Sequence, residues 1–194
     1  MVHIRTRQYA ENLLYYSSIF ATLRLYLNQS GIIDANGARL YFETAGSGEA
    51  LVFIHGRGLD ARMWDPQFEV FAQRFSVIRY DMRGFGRSSV PTAEGYSHAE
   101  DLHALLRFLR VQQAHILGLS LGGLQAVNFG LLYPEATKSL ILVGSALDGF
   151  ICSNEFLGPF GDVEACAKRG DMKAANQLWL NHTSLRSRAR KFCG

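Results

Sequence analysis

A chain of 194 residues that is 48% hydrophobic and 12% aromatic can bury one core, and a single domain with a small appendage is expected. The formal charge of +3 comes from the ends, because residues 31–183 carry 13 Lys and Arg against 16 Asp and Glu; no nucleic-acid face is implied. Cys152, Cys166 and Cys193 have neither a C-x-x-C spacing nor clustered histidines, which argues against a metal site and for a reducing, cytoplasmic setting without structural disulfides.

Residues 1–30 read as an N-terminal extension. The apolar stretch 13–27 follows Arg5 and Arg7 as a signal sequence would, but Glu11 and Arg24 bracket it and no small-residue cleavage site follows. An accessory helix or a non-native extension is expected, without stable membrane association.

Residues 31–150 carry the core. Asn36-Gly37, between Ile32-Ile33 and the alternating Leu40-Tyr41-Phe42, supplies the positive φ angles of a tight hairpin, so two antiparallel strands open the domain. Leu51-Val52-Phe53-Ile54 is a short continuous apolar run suited to a parallel sheet buried on both faces. Asp65-Pro66 reads as a helix cap and first turn, followed by Phe68, Phe71, Ala72 and Phe75 at helical spacing. Val77 to Tyr80 is the second inner strand. Ser97 and Glu100 form a capping box for a helix with its apolar stripe at Leu102, Leu105, Leu106 and Leu109. His115-Ile116-Leu117 is the third inner strand; it feeds a glycine-rich turn and an apolar helix that stops before Pro134. Leu140 to Val143 is the fourth. This alternation predicts an α/β fold, a doubly wound and mostly parallel sheet with an N-terminal antiparallel hairpin, whose ligands bind beyond the C-terminal strand ends. Residues 151–194 keep helical spacing without another inner strand, and read as a partial helical cap with a basic C-terminal end.

Gly118-Leu119-Ser120-Leu121-Gly122 matches the nucleophile-elbow pattern, in which a serine sits on a strained strand-to-helix turn and small residues two positions away let strand and helix approach. A phosphate cradle is disfavoured, since no strand ends in G-x-G-x-x-G and no Gly-Lys-Ser/Thr occurs. His55-Gly56-Arg57-Gly58 follows the first inner strand, where a backbone N–H can serve an oxyanion hole; His55 itself reads as a loop-ordering residue. Asp81 and Arg83 read as a structural pair. Met63, Trp64, Phe85 and Phe150 either line an apolar pocket or belong to the core.

HGRG, DMRGFGRSS and GLSLGG, in this order, resemble the α/β-hydrolase superfamily, and its cap-bearing branch of esterases, lactonases, carbon–carbon bond hydrolases and cofactor-free haloperoxidases. The resemblance covers residues 31 to 183. It implies Ser120 as nucleophile, Arg57 and Leu121 as backbone oxyanion donors, no cofactor and a small-molecule substrate, with Asp162 to His182 as cap. An aspartate at 120 would instead mark a dehalogenase.

In that family the acid and the histidine follow the nucleophile on later strands, which are absent here. Asp148, after the fourth inner strand, is where some members keep the acid, although a hydrogen-bonded loop aspartate reads as well. His182 is the sole histidine after Ser120 and has no strand before it. The expected protein is therefore a serine hydrolase of a small ester, lactone or related carbonyl compound, truncated and inactive as this chain, with an exposed sheet edge open to self-association. The alternatives are a non-catalytic hydrolase-like binding protein and a cofactor-free haloperoxidase.

Overall fold

The computed structural model describes residues 28–92, 95–149 and 154–181, with the side chains of 154–157 excepted. It forms two compact units, one ending at Asp148 and one beginning at Gly149.

The first unit is built on a six-stranded sheet in the order β1-β2-β4-β3-β5-β6. The hairpin pairs β1 (Gln29–Ala35) with β2 (Ala38–Ala45) antiparallel, Ala35 opposite Ala38. Asn36 and Gly37 both take positive φ, 49° and 75°, the mirror-image turn whose twist matches that of the strands. β2 runs antiparallel to β4 (Ser76–Tyr80), and from there β4, β3 (Ala50–Ile54), β5 (Ala114–Leu119) and β6 (Thr137–Val143) are all parallel. The chain winds outward from β3 to β4, then crosses back to build β5 and β6 on the other side. The crossover leaves a switch point between the C-terminal ends of β3 and β5, where adjacent connections leave in opposite directions and open a crevice.

Alternation along the inner strands sends side chains into two cores. Val52, Ile54, Ile78, Tyr80 and Ile116 pack with Leu102, Leu105 and Leu106 of α2 (His98–Phe108) and with Ala126 and Phe129 of α3 (Leu121–Leu132). Each of those three leucines is almost fully buried, contributing ~1.5–3 kcal/mol of transfer free energy. On the other face Leu51, Phe53 and Val77 pack with Trp64 and the half-buried Met63, Phe68, Ala72 and Phe75. Ser97 caps α2 by accepting from the Glu100 N–H.

One local expectation is corrected. The helix α1 (Asp65–Ala72) contains Asp65 as its first residue, with Trp64 at the cap position and no side-chain cap bond. A 3-10 turn over Ala61–Trp64 precedes it, and Asp60 caps that turn by accepting from the Arg62 N–H. The capping aspartate was thus one short helix earlier.

β6, read from the sequence as a fourth inner strand, is instead one of the sheet's two edges among the described residues, with β1 the other, and Leu140, Ile141, Leu142 and Val143 are 38–44% exposed. The second unit is a helix pair, α4 (Asn154–Lys168) and α5 (Met172–Asn181), turned at Gly170 with φ 81°. Phe160 meets Trp179 edge-on at 5.6 Å, and Cys166 of α4 is buried as a free thiol. Among the described residues, no helix is long and apolar enough to cross a membrane.

Candidate active site

β5 ends at Leu119 and α3 begins at Leu121, leaving one residue for the reversal. That residue, Ser120, has φ 52° and ψ −113°, a conformation costing a side-chain-bearing residue of order 1–3 kcal/mol. The surroundings fix it from both sides. The Ser120 N–H donates to the Val143 carbonyl at 2.9 Å, and its own carbonyl accepts from the N–H groups of Leu124 at 3.1 Å and Ala146 at 3.3 Å. The strain is held by the end of β6 and the loop after it.

The glycines flanking the turn are required by space. A Cβ at Gly118 would collide with the Gly122 carbonyl, and one at Gly122 would strike the carbonyl oxygens of Ile54 and His55. The first turn of α3 therefore rests directly on the end of β3. Gly56 abuts Leu119 from the opposite direction: a Cβ there would lie 3.1 Å from its side chain. The His55-to-Gly58 loop and the serine turn thus flank the switch point together. Ser120 is exposed there, and the Leu121 N–H, at the start of α3, has no intrahelical acceptor.

His55 is fully buried and does not face the serine. Its Nε2 accepts from the Met82 N–H at 3.0 Å, which leaves Nδ1–H to donate to the Gly56 carbonyl at 2.9 Å. The ring of Phe85 packs on it edge-on at 5.2 Å. Burial pushes its pKa below the ordinary imidazole value, against the opposing pull of the Gly56 carbonyl and Asp81, and the same burial depresses His98. Both rings resist a proton that the unfolded chain accepts near pH ~6.5, so stability falls as pH drops below that value. Urea midpoints measured from about pH 7.5 down to about 5.5 should decrease steadily; a flat profile would mean that these rings protonate freely in the folded chain.

Asp81 and Arg83 do not pair with each other, a correction to the sequence reading. Asp81 is fully buried and takes two backbone N–H groups, Ala61 at 2.8 Å and Arg87 at 2.7 Å, tying together the loops after β3 and β4. Arg83 instead forms a two-pronged bond to Asp101 of α2, at 2.9 and 2.6 Å, and donates to the Asn36 carbonyl at the hairpin turn. Asn36 completes the cluster through its side-chain amide to Asp101 at 3.1 Å. Asp101 was missed, although it sits four residues before Leu105 on the apolar stripe, where a charge demands a partner. Arg79 was missed too: it bridges Glu43 and Asp65 across the face of Phe68.

The remaining candidates fall as follows. Trp64 stacks on Phe53 at 5.0 Å and belongs with Met63 to the second core, while Phe85 lies on His55. Asp148 is exposed and accepts from the Asn128 side-chain amide at 3.3 Å. Arg57 is exposed in the loop after β3. Phe150 and His182 lie outside the described residues. Of the described histidines, His103 stacks on Tyr133 at 4.0 Å and His115 bonds Ser139 and Glu49, so none is hydrogen-bonded to Ser120.

A family model described as "alpha/beta hydrolase fold" matches residues 49–177, two thirds of the chain. The chain belongs to the α/β hydrolase fold family. Its relatives include an uncharacterised protein of Mycobacterium tuberculosis, 39% identical over 57% of this chain and 33% of that protein. The 2-hydroxy-6-oxononadienedioate/2-hydroxy-6-oxononatrienedioate hydrolase of Comamonas testosteroni is 32% identical over 61% of this chain and 43% of that enzyme. The enol-lactonase of Burkholderia xenovorans superposes with a TM-score of 0.68 at 27% identity, over 77% of this chain and 58% of that one. This α/β hydrolase chain spans a third to less than half the length of the curated relatives it matches.

Proposed function

We propose that Ser120 is the nucleophile of a serine hydrolase acting on a small ester, lactone or related carbonyl compound through an acyl-enzyme. The observation that carries this reading is the strained backbone of an exposed serine between β5 and α3, at the switch point and beside the His55-to-Gly58 loop. Strain of this kind persists only where its surroundings over-determine it, and here three backbone hydrogen bonds do so.

In the proposed reaction Oγ of Ser120 attacks the substrate carbonyl, and the oxygen that gains charge accepts from the N–H groups of Leu121 and Arg57. Each donor of this type stabilises the transition state by roughly 2.7–4 kcal/mol, and the positive end of α3 adds to it. As the new bond forms, the hydroxyl proton passes through a base or water to the leaving alcohol, and water then hydrolyses the acyl-serine. The cytoplasmic setting and the small-molecule substrate belong to the same proposal.

The test is acyl transfer from p-nitrophenyl acetate. Lys138 separates Ser120 and Ser139 into different tryptic peptides, 111–138 and 139–168. The proposal expects acetyl on the Ser120 peptide, absent in Ser120→Ala. Binding of the ester without acylation would support the non-catalytic reading instead.

A further inference from the structure

At the opposite end of the sheet from Ser120, three polar side chains cross three strands in a single line. His115, near the start of β5, lies directly opposite Ser139 of β6, and Glu49 immediately precedes β3. Nδ1 of His115 is 2.7 Å from the Ser139 hydroxyl, and Nε2 is 3.0 Å from Oε2 of Glu49. A carboxylate can only accept, so the neutral ring carries its proton on Nε2 and offers the Nδ1 lone pair to the serine O–H. Lys138 pairs with the other oxygen of Glu49, and that pairing, followed by the His115 bond, holds the carboxyl below the ordinary range. The Phe75 ring lies near-perpendicular to the imidazole, with centroids 6.2 Å apart.

We infer that Ser139, His115 and Glu49 form a second nucleophilic site, able to take small activated phosphonyl and acyl donors. Ser139 is exposed and the His115 side chain is 21% exposed, so a reagent reaches the hydroxyl. This is the one serine among the described residues joined through a histidine to a carboxylate, the connectivity that turns a weak hydroxyl into a nucleophile. Five residues of β5 separate His115 from Ser120, about 16 Å along an extended strand, so the two sites act independently.

With a fluorophosphonate, Oγ of Ser139 attacks phosphorus, and the P–F bond breaks with its electron pair leaving on fluoride. The hydroxyl proton passes to Nδ1 of His115, Glu49 stabilises the imidazolium through Nε2–H, and the ring then releases the proton to water. With an activated ester the same transfers form an acyl-serine and expel the alcohol, which carries the proton away.

The experiment uses the Ser120→Ala chain, so that the elbow contributes nothing. Fluorophosphonate should modify Ser139 within tryptic peptide 139–168, at a rate on the order of 10² above a short serine peptide. The adduct should disappear in Ser120→Ala/Ser139→Ala. Glu49→Gln, at a side chain 58% exposed, should keep the circular dichroism spectrum and slow labelling roughly tenfold. An unlabelled Ser139, or a rate indifferent to Glu49→Gln, would overturn the assignment and leave the three residues as a polar clasp across the sheet. Neither outcome bears on Ser120.

Discussion

Asp101→Ala should lower the unfolding free energy by ~3–5 kcal/mol, the cost of stranding a buried guanidinium whose carboxylate partner has been removed. Asp101 is 1% exposed and its partner Arg83 is 7% exposed, so water cannot replace the missing charge. The loss spreads beyond the pair, because the Asn36 side-chain amide also donates to Asp101 and would be left without that acceptor. α2, the loop after β4 and the hairpin turn would then lose their shared anchor. Removing both charges is a different matter. The double variant Arg83→Met/Asp101→Leu should recover most of the loss, since two apolar side chains of similar volume avoid the desolvation that the ion pair must offset. Urea unfolding with an unchanged m-value separates the two cases, and a double variant as unstable as Asp101→Ala would show that the backbone contacts of Arg83 dominate.

Gly122→Ala should cost ~1–3 kcal/mol or more and misplace the serine turn. The added Cβ would meet the Ile54 and His55 carbonyls, and these are main-chain atoms at the end of a central strand rather than the tip of a pliant side chain. β3 is hydrogen-bonded on both edges, to β4 and β5, so it cannot retreat. α3 must lift instead, carrying the Leu121 N–H away from the His55-to-Gly58 loop. Gly130→Ala serves as the control on the same helix: its Cβ would approach only the Leu140 side chain, which can shift. Equal losses at the two positions would contradict a special role for the close approach at Gly122.

Most of the frame was legible from local chemistry. Asn36-Gly37 announced the hairpin because few other dipeptides accept two positive φ angles, and the apolar runs Leu51 to Ile54 and Val77 to Tyr80 announced inner strands because both of their faces are covered, whereas the run Leu140 to Val143 forms an exposed edge strand. The serine turn was legible because glycines two positions either side of a serine, between a strand and a helix, have a steric purpose. Partner choice was not legible. Arg83 lies two residues from Asp81, but the fold brings Asp101 to it from 18 residues away, and only a three-dimensional arrangement selects between the two carboxylates. Asp81 is engaged by backbone amides, which no side-chain pattern encodes. The line from Ser139 through His115 to Glu49 was hidden for the same reason, since its members are 24 and 66 residues apart.

The most direct test of the Ser120 assignment is fluorophosphonate labelling of the Ser139→Ala chain, with and without added imidazole. Free imidazole can act as a general base at an exposed serine on a strand-to-helix turn, whereas it gives no such help to a serine buried in a regular helix. The account predicts an adduct on peptide 111–138 that maps to Ser120 and forms roughly tenfold or more faster with imidazole. A peptide that stays unmodified under both conditions, in a chain whose circular dichroism is intact, would contradict it.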